Sequence, residues 1–186
     1  MNKLLVITLC ISLNVHGQPD SSGVYVSIVD FQKNKLQYAS PCQSNKHAIH
    51  FVQFIGKPHL SIGYNEKNIR LNPGDFFGFL DCGKLYRIVN GWPYQILHRR
   101  DIVLYSKIIE SGTGRGSTLE NEYYFSKTTD GALLQLSIKN LEMAFPDNHQ
   151  FHEKLESQFK DSEDLIAFDL FIKQYKIKTV YLESLP

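Results

Sequence analysis

The stretch AFPDNHQFHEKLESQF, residues 144–159, places His149, His152, Glu153 and Glu156 within two helical turns. At about 100° per residue, Phe151, Leu155 and Phe159 form an apolar stripe and the four titratable side chains share the neighbouring flank. Two imidazoles three positions apart can reach one zinc ion, with a glutamate orienting a ring or completing the ligand set. That chemistry would be a metal-dependent hydrolase centred on His149 and His152. The zincin helix, however, spaces its histidines four apart as H-E-x-x-H, whereas this order is H-x-x-H-E, so that mechanism does not carry over. Without a third ligand the same residues make a solvated flank with His–Glu pairs worth a few tenths of a kcal/mol. The sequence favours this plainer reading.

The other chemical signals are weaker still. SGTGRGSTLEN, residues 111–121, has the glycine content of a phosphate loop. It lacks the Lys-Ser/Thr of a Walker loop and runs into the strand-like EYYFS instead of a helix. It reads as a long hairpin connection whose Gly112, Gly114, Arg115 and Gly116 offer backbone amides and a guanidinium to an anion or a partner. HRRDIVLYS, residues 98–106, lacks the downstream Asn of a kinase catalytic loop and reads as a hairpin corner. His47 and His50 lie in a strand-like segment at a spacing that sends them to opposite faces. His98 continues the face of Tyr94 and Ile96, where a hydrogen-bonded imidazole is expected. Phe76, Phe77 and Phe79 read as core aromatics.

The elements that would position these residues follow a leader. Lys3 precedes the apolar run from Leu4 to Leu13, and Val15-His16-Gly17 supplies small residues where a signal peptidase cuts. The run is too short for a spanning helix of about 20 apolar residues. The expectation is a signal peptide over residues 1–17 and a single exported domain over 18–186, periplasmic or secreted, with no stable membrane insertion after cleavage. The leader carries one of the 20 basic residues and none of the 19 acidic ones, so the remainder balances at 19 and 19. That balance, with Arg99-Arg100 offset by Asp101, argues against a nucleic-acid partner. Cys42 and Cys82 are the two cysteines beyond the leader. An even pair in an oxidising compartment suggests a disulfide, with two buried thiols as the alternative.

Residues 23–138 read as mostly antiparallel strands. Val24, Val26 and Ile28 alternate with their neighbours, as do Leu60, Ile62 and Tyr64. Asn72-Pro73-Gly74-Asp75 is a turn, and Asn90-Gly91 and Asp130-Gly131 are hairpin signals. Residues 102–109 are apolar on both faces at first, as a covered central strand should be. Leu134, Leu136 and Ile138 make a last strand. From residue 139 to 175 the period is helical. A short helix ends at Pro146, a second starts from Asp147 or Asn148, and a third is expected from Asp161 or Ser162 to Tyr175 as the best buried. The terminal KIKTVYLES is expected to return as an edge strand. Strands followed by two or three helices define an α+β fold.

The blocks SGVYVSIVDFQKNKL and YYFSKTTDGALLQLSIKNLEMAFPDNHQFHEKL resemble a group of exported bacterial proteins of unknown function, with a signal peptide, a β-rich body and a helical tail. The resemblance implies export and this architecture, and no activity, cofactor or catalytic residue. The reading that emerges is a binding or interaction module for an unidentified protein or small-molecule ligand. A zinc-dependent hydrolase is the alternative.

Overall fold

The computed structural model describes residues 21–42, 49–52, 58–112 and 118–185. The proposed signal peptide, His47, and the loop residues Gly114, Arg115 and Gly116 lie outside them. The α+β reading holds: an antiparallel body is followed by helices. Its centre is an eight-stranded sheet in the order β11-β10-β9-β8-β7-β6-β1-β2. The strands are β1 (Ser21–Tyr25), β2 (Gln37–Pro41), β6 (Gly78–Asp81), β7 (Lys84–Val89), β8 (Trp92–His98), β9 (Val103–Ser111), β10 (Thr118–Ser126) and β11 (Leu134–Gln135). Between β2 and β6 the chain makes a separate three-stranded sheet of β3 (Ile49–Val52), β4 (His59–Tyr64) and β5 (Lys67–Leu71).

Register decides which face each residue serves. Val24 pairs with Phe79, Phe79 with Tyr86, Tyr86 with Gln95, and Gln95 with Ser106, so these share one face with Leu104 and Phe125. At one end of that face Val24 and Phe79 pack with Ile49, Leu60 and Ile62 of the smaller sheet. At the other end Leu104 and Phe125 pack with the C-terminal helices. The opposite face carries Leu80, Leu85, Ile96, Val103 and Tyr105 with Tyr25 and Phe31. Coverage on both sides explains why Ile102 to Tyr105 are all buried, as the apolar run predicted. The alternation of Leu60 and Ile62 against Ser61 and Gly63 is likewise observed. Asn90 and Gly91 both adopt positive φ, 51° and 83°, between the paired ends Val89 and Trp92; this is the backbone a two-residue hairpin demands.

Five expectations are corrected. The first strand stops at Tyr25 because Ser27 and Asp30 form a reciprocal capping box that starts α1 (Ile28–Gln32). Leu134 opens a strand of only two residues; Ser137 accepts from the Asn140 amide and caps α2 (Ile138–Ala144), so Ile138 is helical. Accordingly, Asp130-Gly131 sits in a longer connection rather than a tight hairpin. The expected buried third helix is instead a 3₁₀ turn, Asp164–Ile166, and a small hairpin of β12 (Phe168–Asp169) and β13 (Gln174–Tyr175). Local side-chain bonds outcompete the helix there. Asp161 accepts from the amides of Glu163 and Asp164, and Asp169 from those of Phe171 and Ile172. Finally, the terminal segment is a helix, α4 (Lys176–Leu182), which buries Ile177, Lys178 and Val180.

A buried cation fastens the connection after β10. Arg87 donates through Nη1 to the Gly131 carbonyl at 2.8 Å and to the Tyr105 hydroxyl at 3.3 Å, and through Nη2 to the Asp130 carbonyl at 3.0 Å. Tyr105 shares a 2.9 Å bond with Ser126, whose hydroxyl donates to the Thr128 carbonyl at 2.6 Å. Both terminal nitrogens of the guanidinium therefore have acceptors, while its buried Nε has none, and the group also lies 5.7 Å from the centroid of Phe77. Replacing Arg87 with Met leaves these acceptors buried without their donor. The expected loss is about 2–3 kcal/mol, read from urea denaturation midpoints.

Candidate functional site

Pro146 ends α2, and two residues later Asn148 begins α3 (His149–Gln158) by accepting the Phe151 amide at 3.0 Å. The same Asn148 side chain donates to Ser184 at 3.0 Å, beyond the end of α4. Ser184 in turn donates to the Tyr181 carbonyl at 2.6 Å. One residue thus caps one helix and fastens the end of another. Beneath them Phe145, Phe151 and Tyr181 form a closed aromatic triangle with centroid separations of 5.6, 5.3 and 4.9 Å.

A cleft of about 600 Å³ opens over this triangle. Phe145, Tyr181 and Leu185 give it an apolar floor, and Lys127, Asp147 and His149 stand among its polar residues. The Lys127 ammonium lies 5.2 Å from the Phe145 ring centroid. Lys127 follows Ser126, so the Arg87 network that ties down the connection after β10 also positions this cation. The dimensions and the mixture of apolar floor and few polar groups match those of small-ligand sites, which span about 300–1,000 Å³.

The two histidines singled out by spacing do come together, with ring centroids 6.0 Å apart and planes nearly perpendicular. Only His149 lines the cleft. His152 bonds through Nε2 to the Phe145 carbonyl at 2.9 Å; since a carbonyl only accepts, that nitrogen carries the proton and Nδ1 alone keeps a lone pair. Glu153 and Glu156 are exposed. Among the described residues no three His, Cys, Asp or Glu side chains converge as a metal site. Comparison with known proteins finds no matching family model, no matching curated protein and no matching solved structure.

Of the other residues singled out in the sequence, the two cysteines are bonded. Cys42 and Cys82 form a disulfide with a Cα separation of 5.5 Å. It joins the end of β2 to the turn between β6 and β7. Gly112, with φ of 98°, is the described residue of the glycine-rich loop. It leaves the end of β9, and residues 118–121 of the returning β10 are all exposed, so the loop is carried by a ribbon that projects beyond the packed sheet.

Lys127, Tyr181 and Ser184 drew no attention as sequence. Their meeting depends on how the end of β10 approaches α4, and the terminal segment had been expected as a strand. The signal available was the spacing of Ile177, Val180, Tyr181 and Ser184, which is helical.

Behind the cleft, α4 is held to the corner between β8 and β9 by the pair Lys178–Asp101 at 3.5 Å. His98 shares this corner; its ring is hydrogen-bonded to the Arg100 backbone, as expected, while its buried Nε2 has no hydrogen-bond partner. Burial holds its pKa below the ordinary histidine value, and the nearby Lys178 lowers it further. The Asp101 carboxylate and the Arg100 backbone oppose the shift. On acidification the unfolded chain takes up this proton before the folded one does. The contribution of His98 to stability is therefore intact above about pH 6.5 and is lost as pH falls through the folded pKa. Urea midpoints should fall between neutral and mildly acidic pH, and His98→Gln should flatten that decline.

Proposed function

We propose that the chain is an exported, non-enzymatic binding module whose cleft over Phe145 and Tyr181 takes a small amphipathic ligand. The observation that carries this reading is the cleft itself: an apolar floor with Lys127, Asp147 and His149 at its polar side. An alkyl body would lie against Phe145, Tyr181 and Leu185, and an anionic head would meet the Lys127 ammonium. The aromatic triangle and the double role of Asn148 support a preformed cavity, which lowers the entropic cost of capture. The Cys42–Cys82 bridge supports the exported location, since such bridges persist in oxidising compartments. Among the described residues no helix is long and apolar enough to cross a membrane. The metal-hydrolase alternative has two neighbouring imidazoles in its favour, one of them already engaged by a carbonyl.

Titration calorimetry with octanoate and decanoate tests the proposal. Saturable binding is expected, about tenfold weaker for Lys127→Ala and absent for Leu185→Asp, which puts a charge on the floor. Binding of these carboxylates that ignores Leu185→Asp, or no saturable binding at all, would remove the cleft as the site. The glycine-rich loop is a separate surface for a protein partner. Deleting residues 112–116 should leave the fold intact while weakening capture of such a partner.

A further inference from the structure

The hairpin of β12 and β13 presents the two most exposed large apolar residues of the described chain and a third beside them. Phe171 is 98% exposed, Leu170 80% and Ile172 56%, and they are consecutive. Ile108 and Leu119 are diagonal neighbours on one face of the β9–β10 ribbon, and others, such as Val29 and Met143, sit singly on different elements, as they do on most soluble proteins.

This tip is built rather than loose. Its strands pair at Phe168–Tyr175 and Asp169–Gln174. The Asp169 carboxylate accepts from the Phe171 amide at 2.8 Å and from the Ile172 amide at 3.3 Å, and Lys173 closes the loop with φ of 51°. At its base the rings of Phe168 and Tyr175 meet edge to face at 5.0 Å. The Ala167 carbonyl accepts the Lys176 amide at 2.9 Å, which joins the hairpin to the start of α4. The Phe171 and Ile172 amides of the tip are thereby occupied by the Asp169 side chain, and three large apolar side chains are left exposed. Asp169 has turned its oxygen on to its own loop, while the ammonium groups of Lys173 and Lys176 remain exposed. Across residues 168–176 two lysines outnumber one aspartate, so the hairpin carries a net charge of +1.

We infer that the Leu170-Phe171-Ile172 tip, with Lys173 and Lys176 behind it, is a reversible docking point for an anionic lipid surface. Shape and size select this occupant. A stable protein interface takes about 800 Å² from each partner, more than three side chains on a turn supply. A convex turn also splays its side chains, which a rigid partner would have to match with a pocket. The boundary between headgroups and acyl chains closes around any convex apolar shape. There Leu, Phe and Ile reach the acyl region while flanking lysines reach phosphates. The contact is shallow and peripheral, distinct from a spanning segment, and it is independent of the cleft.

Sedimentation with vesicles provides the test, using pure phosphatidylcholine and a mixture containing about a third phosphatidylglycerol. Wild type should partition at least tenfold more strongly into the anionic vesicles, and added salt should weaken it. The triple variant Leu170→Ser, Phe171→Ser, Ile172→Ser should lose at least tenfold in partitioning while keeping its melting temperature, because the replaced side chains are exposed. Lys173→Ala with Lys176→Ala should remove most of the preference for anionic vesicles. As a direct readout, Phe171→Trp in a Trp92→Phe background places the chain's single tryptophan at the tip, and its emission should shift to the blue on adding anionic vesicles. Three results overturn the inference: no binding to either vesicle, equal binding by the triple serine variant, or a dimer in vesicle-free solution that the triple variant abolishes.

Discussion

Replacing Cys42 and Cys82 together with serine should lower the stability of the folded chain by about 4 kcal/mol. The bridge spans 40 positions in sequence, and closing a segment of that length removes a correspondingly large share of the unfolded chain's freedom. The enclosed segment contains all of β3, β4 and β5. It also contains β6, so the disulfide ties β2 to the turn after β6 across β1 of the central sheet and closes the loop that carries the three-stranded sheet; its loss should loosen that sheet from Val24 and Phe79 first. For a chain of this size the expected fall in melting temperature is roughly 8–16 °C. Melting curves of wild type with and without reductant, beside the double serine variant, check it. A melting temperature indifferent to reductant would show that the bridge contributes nothing.

Phe151→Ala should cost about 3–5 kcal/mol, the range for emptying a buried aromatic site. Phe151 is fully buried and supplies the hidden corner of the triangle whose other corners, Phe145 and Tyr181, floor the cleft. Its removal withdraws edge-to-face support from both rings at once. Binding in the cleft should weaken along with stability, whereas Leu185→Asp should affect binding far more than stability. Denaturation midpoints and carboxylate titrations on the same two variants separate these effects. If Phe151→Ala binds as wild type does, the triangle does not shape the cleft.

Much of the sheet was legible because its pattern is local. Leu60 and Ile62 alternate with small or polar neighbours, and residues 102–105 are apolar on both faces because both faces are covered. Asn148 announced itself as a cap by type and position. Most of the misreadings share a cause, the helical terminal segment, which has no side-chain cap, being the exception: a side chain bonded its own backbone more strongly than the hydrophobic pattern suggested. Ser27 and Asp30 carried a capping-box signature inside what looked like an alternating strand. Asp169 carried a turn signal inside what looked like a helix. Apolar residues on most of a helix's circumference implied deep burial; Leu165 is indeed buried, with Ile166 and Tyr175 packed against the same core, whereas Phe171 and Ile172 stand on an exposed tip. The cleft was half visible. His149 stood out by its spacing to His152, but Lys127 and Tyr181 reach it from β10 and α4 through long-range packing that no local pattern encodes.

Strands β9 and β10 run unbroken for nine residues each, from roots buried at Leu104 and Phe125 to ends in open solvent. Such a ribbon has no joint along its length. A pull on its outer end would travel through consecutive paired peptides to the residues beneath the helices, so it would behave as a stiff lever arm whose fulcrum is the hydrophobic core.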